Sequence, residues 1–230
     1  MEIRAIKTRI FRENEDLNSF IFKYVKKIPE SSILVVASKI VALSEGRTSL
    51  DVRKKEDLIK QESDFTWKSK HVWLTIKDNT IMADAGIDES NADKKLILLP
   101  KDSFRTAQKL HKTLCRKLKI KNLGVIISDS GLLPLRNGVI GMALGYAGFQ
   151  GVKSYIGQPD IFGRKFVYSK VNVADSFATA AAICMGEGRE RQPLAVITDA
   201  PADFVRGTKR GELTINPKND VYAPLFDKLN

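Results

Sequence analysis

Cysteine, histidine and long apolar runs are all scarce in this chain. Two cysteines in 230 residues, Cys115 and Cys184, supply no disulfide framework. Both fall in helix-like patterns and are expected to be buried thiols in a reducing cytoplasm. The two histidines, His71 and His111, stand far apart, and no zinc-ligand spacing exists. Each is read as structural, His111 as a neighbour of a solvated basic stripe. No apolar run reaches the ~18 residues of a bilayer-spanning helix, and the longest, 177–185, is mostly alanine. The opening Met1-Glu2-Ile3-Arg4-Ala5-Ile6-Lys7 has no apolar core of the kind a secretory signal needs. A Walker loop, a dinucleotide fingerprint, an aromatic RNA-binding signature, an internal repeat and a Gly/Ser linker are also missing. Acid is in the minority: 38 Lys and Arg against 27 Asp and Glu leave a net charge of +11. That admits nucleotides, nucleic acid or other anionic partners. The basic residues are dispersed apart from 101–121, so a lysine-rich solvated surface is the plainer account.

What is present is ordinary for a globular protein: 43% hydrophobic and 28% charged residues. The chain reads as one unit over 1–230, or as two interleaved subdomains without a visible boundary. Patterning predicts strands over 2–10, 33–37, 96–99, 125–127, 165–170 and 193–198. A strand over 71–77 is expected to turn Val72, Leu74 and Ile76 inward and Trp73, Thr75 and Lys77 outward. Amphipathic helices are expected over 16–27, 56–65, 103–119 and 173–185, the third capped by Asp102 and the fourth by Asn172. The third carries a basic stripe of Arg105, Lys109, Lys112, Arg116 and Lys119. Residues 203–230 read as a polar extension with little periodicity. Strands and helices mix without strict βαβ alternation, so the fold class is α+β, with mixed sheets and flanking helices.

Three stretches carry chemistry-bearing residues. In Val125-Ile126-Ile127-Ser128-Asp129-Ser130 a buried strand ends in a carboxylate and two hydroxyls, either hard-metal ligands or an ordinary polar strand end. Arg136-Asn137-Gly138 follows, able to face a phosphate or a carboxylate. A second strand delivers Ser38-Lys39, which resembles a ligand edge in α/β folds; the lysine alternatively opens a helix and points to water. The third stretch is Ala85-Gly86-Ile87-Asp88-Glu89-Ser90-Asn91. With Asp84 and Asp93 it packs four carboxylates into ten residues. They need a cation or basic groups if buried, and otherwise form a solvated turn.

These segments, with Glu45-Gly46-Arg47 after the Ser-Lys pair and Ala174-Asp175 through Met185-Gly186-Glu187, resemble in order the family of gamma-glutamyl ligases that extends the deazaflavin coenzyme F-420 precursor. The tail Asp220-Val221-Tyr222-Ala223-Pro224-Leu225 also resembles that family's C-terminus. The resemblance implies a ligase that uses GTP, or ATP, with Mg²⁺ or Mn²⁺ to join L-glutamate to a substrate carboxylate. It implies metal ligation by Asp88, Asp129, Ser130 and Glu187, and nucleotide contacts from Ser38, Lys39 and Asn91. It further implies catalytic roles for Asp129 and Arg136, the gamma-glutamyl ligase fold, a homodimer and a cytoplasmic setting. Two departures stand out. Leu43 occupies a position where the family commonly has lysine, and Gly131-Leu132-Leu133-Pro134 replaces a Gly-Arg-Pro turn. Relatives without the deazaflavin glutamylate folates, so folate polyglutamate synthesis is the alternative within the family. A non-catalytic anion- or nucleic-acid-binding protein is the alternative from another class.

Overall fold

The structure, a computed structural model, describes residues 1–226. In chain order its elements are β1 (Glu2–Ile6), α1 (Leu17–Tyr24), β2 (Ser32–Ala37), α2 (Ser38–Ser44), β3 (Thr48–Ser49), α3 (Lys55–Glu62), β4 (Phe65–Lys68), β5 (Trp73–Lys77) and β6 (Thr80–Ala83). There follow β7 (Leu96–Ile97), α4 (Ser103–Leu118), β8 (Leu123–Leu132), β9 (Val139–Ala147), β10 (Val152–Ser154), β11 (Lys170–Asn172), α5 (Val173–Met185) and β12 (Leu194–Thr198). The fold is α+β.

The central sheet has the order β1-β12-β2-β8-β9. Only β2 and β8 run parallel; the other neighbours are antiparallel. β2 is Ser-Ile-Leu-Val-Val-Ala, apolar at every position but its first, because both sheet faces are covered. Leu34, Val36, Val125 and Ile127 point to one face, where they pack with Phe20, Ile21, Leu110 and Leu114 of α1 and α4. Ile33, Val35, Ile126 and Tyr146 point to the other, against Phe177, Ala178 and Ala181 of α5. Full burial of one such aliphatic side chain stabilises the fold by about 1.5–3 kcal/mol. The caps are where composition placed them: Asp102 accepts from the Arg105 amide at 2.9 Å, and Asn172 from that of Asp175 at 3.0 Å.

A smaller sheet, β4-β5-β6, joins α3 around Ile59, Ala85, Ile87, Leu96 and Leu98. Here the expected facing of 71–77 is reversed. Thr75 is fully buried, its hydroxyl donating to the Met82 carbonyl and accepting from the Ala85 amide. Two good hydrogen bonds remove the cost that alternation alone assigns to a buried threonine. Lys77 on the same face is neutralised by Glu62 at 2.7 Å.

Other expectations also change. The strand over 125–127 continues through Ser130 to Leu132, because the 139–147 stretch forms a strand that pairs with it. That partner is missed by patterning because its glycines hide its alternation. They are there for close approach: a Cβ on Gly141 would lie 2.3 Å from the Ala178 carbonyl oxygen, and one on Gly145 2.4 Å from the Phe104 nitrogen. The strand over 165–170 shrinks to 170–172, and β1 stops at Ile6. Cys184 is exposed, on the face of α5 turned from the sheet, while Cys115 is half-buried. His111 is not part of the solvated stripe: it is half-buried, donates to the Leu123 carbonyl and is held below its usual pKa by burial. Among the described residues no helix is long and apolar enough to cross a membrane.

Gly141→Ala is therefore expected to destabilise the protein by about 1–3 kcal/mol through overpacking against α5. A urea midpoint lowered by that free energy divided by the m-value is the expected result; an unchanged midpoint contradicts the packing.

Candidate active site

The parallel pairing of β2 with β8 sets the site. Ala37 lies opposite Ser128, so the chain leaving β2 delivers Ser38 and Lys39 beside Asp129. Ser38 is buried at the start of α2, and its hydroxyl donates to the Asp129 carboxylate. Ligand-binding residues gather at the carboxyl ends of parallel strands for this reason, since two chains diverge there and leave a crevice. On its other edge β8 carries a bulge: Ile127 faces Gly145 but Ser128 faces Ala143, leaving Leu144 over. Bulges re-aim side chains next to functional sites.

Lys39 opens a helix, as one alternative held, but it does not point to water. Its Nζ lies 2.7 Å from Asp88 Oδ2 and 2.8 Å from the Ser90 carbonyl. Asp88 is held in place by an exchange of backbone hydrogen bonds with Ile97 in β7, each 2.9 Å. Its Oδ1 accepts from the Ser90 amide and its Oδ2 from the Ser90 hydroxyl, both at 2.7 Å. Burial works to raise the Asp88 pKa, but Lys39 and Ser90 together hold it below the usual carboxylate range. Asp84 and Glu89 are neutralised in the same way, while Asp93 is exposed to solvent. Lys55 bridges Asp84 at 3.1 Å and Glu89 at 2.9 Å. Basic groups thus answer the desolvation problem that the sequence posed.

Asp129 is different. It keeps partial solvent access, yet burial pushes its carboxyl up to about 6. The Ser130 amide, Ser38 and Lys39 offset part of that, and the charge of Asp88 adds to it. Two neighbouring carboxylates share one nearby ammonium, a local excess of negative charge that a cation would relieve.

Ser130 lies one residue on, and its hydroxyl donates to the Glu187 carboxylate, with Oε1 at 2.9 Å and Oε2 at 2.8 Å. Glu187 follows Gly186, which ends α5. Asn91 reaches the same loop, its Nδ2 donating to the Gly188 carbonyl at 3.0 Å. The sequence-predicted residues therefore close a ring: Ser38 and Lys39, then Asp88, Asn91, Glu187, Ser130 and Asp129. Among the described residues no three of His, Cys, Asp or Glu converge on one point; Asp88 and Asp129 are neighbouring carboxylates, and Glu187 is a lone carboxylate bonded to the Ser130 hydroxyl. All donors are oxygens, the set that Mg²⁺ or Mn²⁺ prefers.

Arg136 is not brought to this ring. It sits on the exposed turn between β8 and β9, with no side-chain partner among the described residues. β8 ends at Leu132, four residues before it, and in the turn the Arg136 amide bonds back to the Leu133 carbonyl at 3.3 Å. Leu43 is packed against the core, where it also lends its carbonyl to the Asn14 amide. Two residues that the sequence reading quoted only as part of the resemblance, without a role, support the site. Glu45 accepts from the Lys101 amide at 2.7 Å, and Arg47 donates to the Leu99 carbonyl at 3.1 Å while pairing with Glu62 at 2.7 Å. The Glu45-Gly46-Arg47 segment is a clamp on the chain between β7 and α4. Ser90, too, had no role until Lys39 and Asp88 were seen around it.

The raised pKa of Asp129 makes a signed prediction. Its ionised form is disfavoured in the folded state, so the penalty is absent below the unfolded pKa near 3.8 and complete above about 6. Without added divalent cation, Asp129→Asn is expected to stabilise the fold at pH 7 by roughly 1–3 kcal/mol and to be neutral near pH 3. Thermal melts across that range check it; equal stability of both proteins at pH 7 contradicts it.

Comparison with known proteins now adds to the geometry. A profile of the F420-0:gamma-glutamyl ligase family matches residues 47–199. A coenzyme F420:L-glutamate ligase of Methanococcus maripaludis (strain C7) is 31% identical over 96% of this chain and 97% of its own length. The protein of that name from Methanocaldococcus jannaschii is 29% identical over 96% and 95%, and that from Methanothermobacter thermautotrophicus 30% over 84% and 85%.

Proposed function

Because the chain belongs to the F420-0:gamma-glutamyl ligase family, we propose that it forms a gamma-glutamyl amide bond between L-glutamate and a carboxylate of the F420 precursor. The observation that carries this reading is the meeting of Ser38, Lys39, Asp88 and Asp129 where β2 and β8 part. A carboxylate does not condense with an amine unaided; it needs a leaving group. In the proposed sequence an acceptor carboxylate oxygen attacks the γ-phosphorus of GTP, and the bond to the nucleoside diphosphate breaks. The glutamate nitrogen then attacks the acyl carbon, phosphate leaves and the nitrogen gives up a proton.

Lys39 is the group for the transferring phosphoryl oxygens, held ready by Asp88 and Ser90. Ser38 fixes the orientation of Asp129. Asp88 and Asp129 would hold one divalent ion, and Ser130 with Glu187 a second. Such ions neutralise the charge that builds on phosphoryl oxygens during transfer. Asn91, tied to Gly188, closes the nucleotide side. ATP is the alternative donor and a folate the alternative acceptor; the packed Leu43 and the altered 131–134 turn are the places where such a change is written. That turn also supports the homodimer. It presents Leu132, Leu133, Leu135 and Val139 to solvent together, an apolar tip suited to a second copy.

The test is incubation with GTP, Mn²⁺, L-glutamate and F420-0, read by mass spectrometry. Product heavier by one glutamyl residue, with one diphosphate per bond, is expected. Asp129→Asn should lower turnover by roughly a thousandfold, and Lys39→Ala should weaken nucleotide use by about 10–100-fold. Absence of product with deazaflavin and folate acceptors alike, or full activity of Asp129→Asn, contradicts the assignment.

A further inference from the structure

The ring of residues above occupies the β2 side of Asp129. On the β9 side a separate cavity of about 290 Å³ opens. Part of its lining is Ala143 and Leu144, the residues at the bulge. Ala143 is the cross-strand partner of Ser128, so the cavity begins one strand spacing, about 4.8 Å, from the residue that precedes Asp129. Its other walls come from three distant segments: the 77–80 turn, residues 99–104 and residues 210–214.

The charged residues that line it are two carboxylates, Asp78 on the 77–80 turn and Asp102, and three cations, Lys77, Lys101 and Arg210, which are unequally committed. Lys77 is consumed by Glu62. Lys101 has no side-chain partner among the described residues. Arg210 places Nη1 2.9 Å from Asp102 Oδ2 and lies over the Phe104 ring, 5.7 Å from its centre. Its side chain remains 67% exposed, and Nε and Nη2 have no acceptor among the described residues. The other Asp102 oxygen caps α4. Asp102 and Phe104 therefore orient the guanidinium without filling its fork, leaving the edge that pairs best with a carboxylate or phosphate.

The 210–214 segment is not a loose tail. Gly148 donates to Thr208 at 3.2 Å on one side of Arg210. On the other, Glu212 accepts from the buried Tyr146 hydroxyl at 2.5 Å and from the Gly151 amide at 2.9 Å. Arg210 is thus pinned between two anchors to β9 and the loop after it.

We infer that this cavity receives the acceptor, a carboxylate-bearing molecule with a second anionic group. The reacting carboxylate is directed past Leu144 toward Asp129, and Arg210 with Lys101 holds the second anion. The inference rests on the ligase reading, which requires nucleotide and acceptor to approach Asp129 from different sides. It makes Arg210 a determinant of acceptor specificity.

The experiment is calorimetric titration of F420-0 into the full chain without nucleotide. Wild type binds, and its affinity falls as KCl rises. The Lys101→Ala, Arg210→Ala double variant is expected to bind at least about tenfold more weakly, with a flatter salt dependence and unchanged melting temperature and GTP affinity. Arg210→Lys recovers part of the loss. Failure of wild type to bind F420-0, equal binding by the double variant, or a loss confined to glutamate binding overturns the inference. Binding that depends on Arg210 in a chain that forms no product refutes the ligase reading and upholds the cavity assignment. Product formation with binding indifferent to Arg210 does the reverse.

Discussion

The parallel register of β2 against β8 is the constraint on which the site depends. Ala37 opposite Ser128 puts Ser38 and Lys39 next to Asp129. A shift of one residue would turn Asp129 to the opposite face and leave Lys39 with Asp88 alone. The register is held by packing: Leu34, Val36, Val125 and Ile127 fit one core and Ile33, Val35 and Ile126 the other, so a slip would exchange side chains between two differently filled cores. A rigid apolar pair of strands thus fixes the polar residues that follow it. The cost of holding Asp88 near Asp129 is offset on one side by Lys39 and Ser90 and left open on the other.

Much of this arrangement was legible from residue order. The helix caps at Asp102 and Asn172, the strands expected over 33–37 and 193–198, and the need of the acidic stretch for counter-charges if buried all follow from local chemistry. The partners did not. Nothing in the sequence says that Lys39 answers Asp88, 49 residues away, or that Lys55 answers Asp84 and Glu89. Ion pairs of that separation exist only once the topology is known. β9 was illegible because its glycines serve contacts with α4 and α5, so its composition reports tertiary packing rather than strand propensity. Thr75 misled for a related reason: two hydrogen bonds make a polar side chain as acceptable inside as an apolar one.

The two departures from the family pattern now have different meanings. Leu43 is partly buried and packs against the core. The 131–134 stretch begins two residues after Asp129, with Gly131 buried in β8, and runs out to the exposed apolar tip of Leu132 and Leu133, whose exposure Arg136 shares. Under the proposed function, selectivity for the acceptor is sought both in that stretch and at the bulge at Leu144, where Phe104, Lys101 and Arg210 line the neighbouring cavity.

The central claim is that phosphoryl transfer takes place between Lys39, Asp88 and Asp129. Anomalous diffraction from crystals soaked with Mn²⁺ and a non-hydrolysable GTP analogue tests it most directly. The account predicts a manganese peak within coordination distance of the Asp88 and Asp129 carboxylates, with the terminal phosphate beside Lys39. Manganese and phosphate bound elsewhere on the chain, with this ring unaltered, would contradict it.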